Sequence, residues 1–347
     1  MKLSIIVPVY NMASGGKLAY CMDSLVGQSL TDCEIIAVDD ASTDDSLQLL
    51  RAYEQKYPEK VRVLSLPENR RQGGAKNRGL KAARGEWIGF IDSDDWVSAD
   101  FYERLVRLAE ETGADMAGCD YSMVNSRSME IGKVVRINTR EQTGVLDQDK
   151  HRSLLLRPGS MVVKIYRHSV IRENGLCFPE GIFYEDNCAG PLWSLYFRHF
   201  EKIDEPMYYY YQDPESTVHR ITRERCEDRM QAEEIFYREC EKRGFLEAYR
   251  EEIEFRFAEL YYVTTLFSYM QGVKHPRPGF VRQLRRGVEA RFPDFRENKY
   301  YTQLVGPEER RLIRMQARSD LMFYLYYRAK LLARRWRAEA NGRGKHR

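Results

Sequence analysis

The chain has 347 residues, 43% of them hydrophobic and 31% charged, with a formal net charge of +3. That length suits one large α/β domain with an appendage, or two domains, and acids and bases balance too closely for net charge alone to name a partner. Seven scattered cysteines without a C-x-x-C pair speak against a zinc site or a disulfide framework, and no apolar run reaches the roughly 18–20 residues of a membrane-spanning helix.

The first segment, "LSIIVPVY" (3–10), is a β-branched run, too short for a secretory signal, so a reducing cytoplasm is the expected compartment. A helix follows, with Leu18, Cys21, Met22 and Leu25 at helical spacing. "CEIIAVDD" is the second strand. The next helix has Ser42 or Thr43 as its expected cap and Leu47, Leu50 and Tyr53 on its apolar face. "VRVLSL" is a third strand, "GGAKNRGLKAARG" a small-residue helix and "EWIGFIDSDDW" a fourth strand running into acids. A helix capped by Ser98, with Phe101, Leu105 and Leu108 inward, leads to a fifth strand, "ADMAGCDY".

This alternation predicts a mostly parallel, Rossmann-like sheet with helices on both faces. Ligands of such sheets bind beyond the carboxyl ends of the strands. Three strand ends carry polar clusters there: Pro8-Val9-Tyr10-Asn11, Asp39-Asp40 and Asp92 to Asp95. After about Tyr121 the pattern changes. Residues 122–144 read as a hairpin or a mobile excursion, "GSMVVKIYRHSVIRENGL" as a strand and helix, and "MYYYYQDPESTVHR" as a strand leaving through a turn. From about Thr222 onward the pattern is helical. The expected domains are therefore 1–220 and 221–347.

The acids carry the chemistry. Asp92, Ser93, Asp94 and Asp95 suit either a capped turn or a divalent cation bridging a diphosphate, since hard cations prefer carboxylate oxygens. Neither G-x-G-x-x-G after the first strand nor G-x-x-x-x-G-K-[ST] is present, so a glycine cradle for phosphates is not supported. Tyr184-Glu185-Asp186-Asn187 places two acids at a helix start.

Taken in order, "SIIVPVYN", "VDDASTD", "NRRQGGAKNRGLKAARGEWIGFIDSDD" and "GIFYEDN" resemble glycosyltransferase family 2, inverting enzymes of the GT-A fold, across roughly residues 2–219. The resemblance implies a UDP-sugar donor, a saccharide or lipid-linked acceptor and a divalent cation, Mn²⁺ or Mg²⁺. It implies Pro8, Val9 and Tyr10 at the base, Asp39 accepting from the uracil N–H, Asp92 with Ser93 at the ribose, and Asp94 on the metal. Asp186 becomes the catalytic base and Glu185 an acceptor- or sugar-binding neighbour. Lys76 stands where the family usually has Arg, which leaves Lys76 and Arg78 as alternative donor contacts. His219 is a third metal ligand or a surface histidine. Trp96 is an acceptor contact or a packing residue, and most of Tyr208 to Tyr211 are expected in the core.

The tail from Leu321 to Arg347 is a basic amphipathic helix. It suits either an anionic membrane surface or docking on the catalytic domain, and nucleic acid is not expected. The leading reading is a hexosyl- or N-acetylhexosaminyl-transferase for surface polysaccharide, in the cytoplasm or at the inner face of the cell membrane. Metal-dependent nucleotidyl transfer and a non-catalytic sugar-nucleotide or polysaccharide-binding module are the alternatives. The oligomeric state is not legible.

Overall fold

The computed structural model describes residues 1–212 and 221–343. The chain divides into two compact units, Met1–Ser216 and Thr217–Arg347.

The first unit is built on one sheet. Strands β1 (Leu3–Val9), β2 (Cys33–Asp39), β3 (Val61–Ser65) and β4 (Trp87–Phe90) lie parallel in the order β3-β2-β1-β4. They are linked by α1 (Lys17–Val26), α2 (Ser46–Lys56) and α3 (Arg71–Ala82). Every residue of β1, β2 and β4 is buried, as expected of strands covered on both faces. Leu18, Cys21, Met22 and Leu25 of α1 are fully buried, as their spacing predicts. The registers Val9 opposite Asp39 and Asp39 opposite Ser65 bring the polar ends of neighbouring strands level with one another.

Beyond β4 the sheet departs from the expected parallel order. Strand β9 (Lys164–Arg167) runs antiparallel between β4 and β6 (Met116–Val124), and β10 (His199–Tyr211) then pairs parallel with β6. A strand late in the chain thus enters the middle of the sheet, and local alternation carries no signal for such an insertion. Short β5 (Trp96–Val97) and β8 (Gly144–Val145) flank β10, and β7 (Lys133–Val135) pairs with β6. Segment 122–144 is therefore a hairpin. Its connection is pinned where the Trp96 Nε1 donates to Ser128 O at 3.0 Å and the Tyr209 hydroxyl to Met129 O at 3.1 Å.

Two expected caps are replaced by neighbours. Helix α2 follows Asp45, and the carboxylate of Asp44 accepts from the Ser46 N–H at 3.0 Å. Ser42 instead accepts from the Asn11 N–H, tying the end of β1 to that of β2. Helix α4 (Phe101–Thr112) follows Asp100, whose carboxylate accepts the Ser98 hydroxyl at 2.9 Å. In each case the serine bonds a nearby loop group, and the N-cap position falls to an acid, Asp45 or Asp100, that makes no side-chain capping bond.

Glycines let α3 sit close to its neighbours. A Cβ at Gly79 would lie 2.5 Å from Ile6 of β1, and one at Gly73 would lie 1.9 Å from the Pro179 carbonyl. After α5 (Gln148–Leu156) and α6 (His168–Glu173) the chain leads to α7 (Glu185–Ser194), and the small-residue helix is wedged between the sheet and that leading segment.

The second unit is helical: α8 (Arg223–Lys242), α9 (Leu246–Phe257), a π-helical stretch Ala258–Thr264, α10 (Thr265–Gly272), α11 (Pro278–Arg291), α12 (Lys299–Leu304), α13 (Pro307–Arg318) and α14 (Asp320–Arg343). Helix α14 packs within this unit, Phe323 and Tyr327 being buried against Phe267. Among the described residues no helix is long and apolar enough to cross a membrane.

Candidate active site

The carboxyl ends of β1, β2 and β4 and the start of α7 supply the acids of the site. Backbone strain gathers there too. The described non-glycine residues with positive φ are Asn11 after β1, Ala41 after β2, Arg71 opening α3 and Tyr184 opening α7. Residues held in such conformations are tolerated where surrounding structure fixes them, and they concentrate at functional sites.

At the first strand end, Pro8 and Val9 are buried within the sheet, and Val9 belongs to the main core. Tyr10 is 46% exposed and presents its ring to solvent. Of the expected base-pocket trio, only Tyr10 is placed to offer a side chain. Asp39 at the second strand end is 1% exposed. Its Oδ2 accepts from the Ser42 N–H at 3.3 Å, while its Oδ1 is buried without a hydrogen-bond partner. A buried acceptor left unmade is costly, and a ligand donor would satisfy it. Asp40 acts on the backbone instead. Its Oδ1 accepts from the Arg70 N–H at 2.7 Å, anchoring the start of α3.

After β4 the acids separate by environment. Asp95 is fully buried and accepts from the Tyr208 hydroxyl at 2.6 Å and the Tyr211 N–H at 2.8 Å. It holds the turn against β10, which gives Tyr208 its place in the core. Asp92 is half-buried, with its Oδ1 unpartnered. Burial, Asp94 and Glu185 push its pKa up to about 6 against the pull of Lys76. Asp94 is half-buried beside it, and Ser93 is buried between the two.

The far wall comes from α7. Glu185 is 5% exposed and pairs with the equally buried Lys76 of α3, Oε1 to Nζ, at 2.7 Å. Lys76 remains firmly protonated although burial alone would lower its pKa, because Glu185, Asp92 and Asp186 surround it. Asp186 is exposed in the first turn of α7. Neighbouring protein, then Glu185 repulsion, raise its pKa to about 6, while Lys76 opposes the rise. Three acids thus share one buried cation, leaving net negative charge where a strand end and a helix start meet.

Three expectations change. Arg78 is exposed and lies two residues from Lys76, hence on the opposite side of α3, so Lys76 is the one facing the acids. Glu185 is committed to a buried ion pair, which makes it a positioning residue rather than a sugar contact. Trp96 is fully buried, stacked 6.3 Å from Tyr209 and edge-on to Tyr20 at 4.7 Å; it packs and does not reach an acceptor. His219 and Arg220 lie outside the described residues.

Asn77 is not marked out by its residue type. Its side chain donates to the Phe178 carbonyl and to Glu180 and accepts from the Phe178 N–H, all at 2.9 Å. This clamp fixes the approach to Tyr184 and α7. The nearest signal in the sequence is its place in the α3 motif, next to Lys76.

Among the described residues no three His, Cys, Asp or Glu side chains are gathered as a metal cage. The unpartnered Asp92 oxygen and the excess negative charge around Asp94 nevertheless fit a hard divalent cation that takes few protein ligands and fills its shell with phosphate oxygens and water.

Residues 4–174 match the family model of glycosyl transferase family 2. The chain is 34% identical to the uncharacterized glycosyltransferase YibD of Escherichia coli K12, over 53% of this chain and 54% of that protein. It is 33% identical to a poly(ribitol-phosphate) beta-glucosyltransferase of Bacillus spizizenii, over 52% of this chain and 27% of that protein. The matched stretches thus span about half of the first relative and about a quarter of the second. The crystal structure of S. aureus TarS 1-349 in complex with UDP-GlcNAc superposes with a TM-score of 0.64 at 23% identity, covering 95% of this chain and 91% of that one. The likeness is one of fold, and the expected GT-A type α/β architecture followed by helices holds. Glu185 and Asp186 fall outside the stretch matched by the family model.

Proposed function

We propose that this protein is an inverting glycosyltransferase that moves a sugar from a UDP-sugar to a hydroxyl of a saccharide or polyol-phosphate acceptor in surface polysaccharide synthesis. The observation that carries the proposal is the arrangement of acids. Asp39 and Asp92 each keep a buried carboxylate oxygen free, and Asp186 stands exposed at the start of α7, close to Glu185 and Lys76, with its pKa raised to about 6. The family match over residues 4–174 and the UDP-GlcNAc bound by the TarS fold neighbour support the donor class.

In this mechanism Asp39 accepts the N–H of the uracil ring beside Tyr10, and Asp92 faces the ribose. Asp94 holds the divalent cation, which when bound stabilises negative charge on the departing diphosphate. Asp186 takes the proton from the acceptor hydroxyl as its oxygen attacks the anomeric carbon. The bond to the diphosphate breaks on the opposite face, UDP leaves, and the configuration inverts. A base titrating near 6 is ionised at neutral pH yet basic enough to assist. Lys76 holds Glu185 and stabilises the acids collectively, and Asn77 fixes the segment before α7.

The test is a panel of nucleotide sugars with Mn²⁺, scored by protection against thermal unfolding and by slow hydrolysis to UDP. A UDP-sugar should protect in a metal-dependent manner. Release of pyrophosphate from a nucleoside triphosphate instead would identify nucleotidyl transfer. Binding with neither hydrolysis nor transfer to any acceptor would identify a binding module.

A further inference from the structure

The second unit is strongly cationic at its end: residues 274–347 contain 20 Lys and Arg against 7 Asp and Glu. Helix α14 is also two-sided. One side is docked: Phe323 and Tyr327 are buried, the Tyr324 hydroxyl donates to Pro276 O at 2.8 Å, and the Arg285 guanidinium forks onto Asp320 with two bonds of 2.9 Å. On the other side Leu321, Leu325, Leu332 and Trp336 are 56%, 58%, 50% and 75% exposed. At 3.6 residues per turn these four positions fall within a stripe roughly 60° wide. The docked side already accounts for the helix's packing, so the stripe is surplus to the fold.

The charge beside the stripe is ordered as well. On the neighbouring helix α13, Arg311, Arg314 and Arg318 are all exposed and recur at i, i+3 and i+7, forming one ridge. Arg311 donates to the hydroxyl of Tyr326 on α14 at 3.3 Å, which sets this ridge alongside the apolar stripe. Arg328 lies on the stripe's other flank. An apolar keel between two basic flanks, ending in an exposed tryptophan, matches a phospholipid interface with anionic headgroups. A lone apolar stripe would suit any greasy partner; the arginine ridge selects a negatively charged one.

We infer that the α13–α14 face is a peripheral membrane-docking surface: Leu321, Leu325, Leu332 and Trp336 enter the headgroup layer, and Arg311, Arg314 and Arg318 bind its anionic lipids. The helix lies on the bilayer and does not span it. This docking is independent of the proposed catalytic reaction.

The protein carries its own reporter. Trp87, Trp96 and Trp193 are fully buried and Trp336 alone of the four tryptophans is exposed, so a vesicle-induced change in emission reads α14. The full chain should co-sediment with vesicles containing about 30% phosphatidylglycerol, with a blue shift in tryptophan emission, and show neither with phosphatidylcholine alone. Raising salt should weaken capture. Arg311→Glu/Arg314→Glu/Arg318→Glu should weaken binding to anionic vesicles about tenfold or more. Leu325→Ser/Leu332→Ser should suppress the blue shift while circular dichroism stays unchanged. Failure of the wild-type chain to bind anionic vesicles at low salt, or equal binding to both vesicle types, overturns the inference. So does a blue shift without lipid that grows with protein concentration, which would make the occupant a second copy.

Discussion

Asp186 and Lys76 carry the sharpest residue-scale expectations. Asp186→Asn should lower turnover by about 10²–10⁴-fold, the usual worth of a general base, with UDP-sugar affinity nearly unchanged in single-turnover and binding measurements. Because the protein packed around its carboxylate and the charge of Glu185 raise its pKa to about 6, wild-type turnover should fall as pH drops through that value. The same group has the opposite effect on ligand-free stability. The folded protein holds this proton up to about pH 6, whereas an ordinary aspartate releases it near 3.8, so between those values the folded state binds more protons. Asp186 therefore favours folding more at pH 5 than at pH 7, and thermal unfolding of Asp186→Asn should lack that part of the pH response. Lys76→Met would strand Glu185 as a buried unpaired acid and should cost about 3–5 kcal/mol, measured by urea denaturation. Adding Glu185→Leu should recover much of that loss, because both members of the pair are then gone.

At the scale of elements, α3 and the approach to α7 act as one device. Gly73 lets the helix touch the Pro179 carbonyl, and Asn77 clamps Phe178 and Glu180 four residues further along. Gly73→Ala places a methyl where backbone already sits and must push the 178–185 segment away. The expected result is a loss of kcat larger than the loss of donor affinity, since Asp186 moves while Asp39 and Asp92 stay. If kcat and donor affinity fall equally, α3 supports the fold in general rather than aiming α7. The elements themselves were largely legible. Strands β1, β2 and β4 are short, mainly apolar runs, and α1 and α4 show their buried faces as helical repeats. The caps were less so, because Ser42 and Ser98 had nearby loop groups to bond that no local pattern reveals.

For the whole molecule, charge is partitioned. The first unit holds 26 basic and 33 acidic residues and the second 29 and 19, so the near-neutral total conceals an acidic site-bearing unit and a basic helical one. The acidic site should make nucleotide binding conditional on a cation. At a free UDP concentration about 100 times Kd, linkage predicts about 2.7 kcal/mol of stabilisation in Mn²⁺ and little in EDTA, read as a rise of several degrees in Tm. Asp94→Asn should remove most of the metal-dependent rise.

The amino-acid order by itself determined the covered strands, the acids at their carboxyl ends and the helical character of the second half. Those features follow from local periodicity and from residue chemistry at short range. The tertiary structure alone decided which acid is buried and what each one bonds. Asp92, Asp94 and Asp95 are neighbours in sequence, yet the Tyr208 hydroxyl, from a strand more than a hundred residues away, commits Asp95 to the turn. Lys76 and Glu185 are equally distant in sequence, and only their burial together sets that ion pair apart from the exposed Asp186 beside it. Placement of β9 between β4 and β6, the burial of Trp96 and the docked side of α14 belong to the same class. Each depends on which distant segment arrives to exclude water, and a local sequence pattern does not encode that arrival.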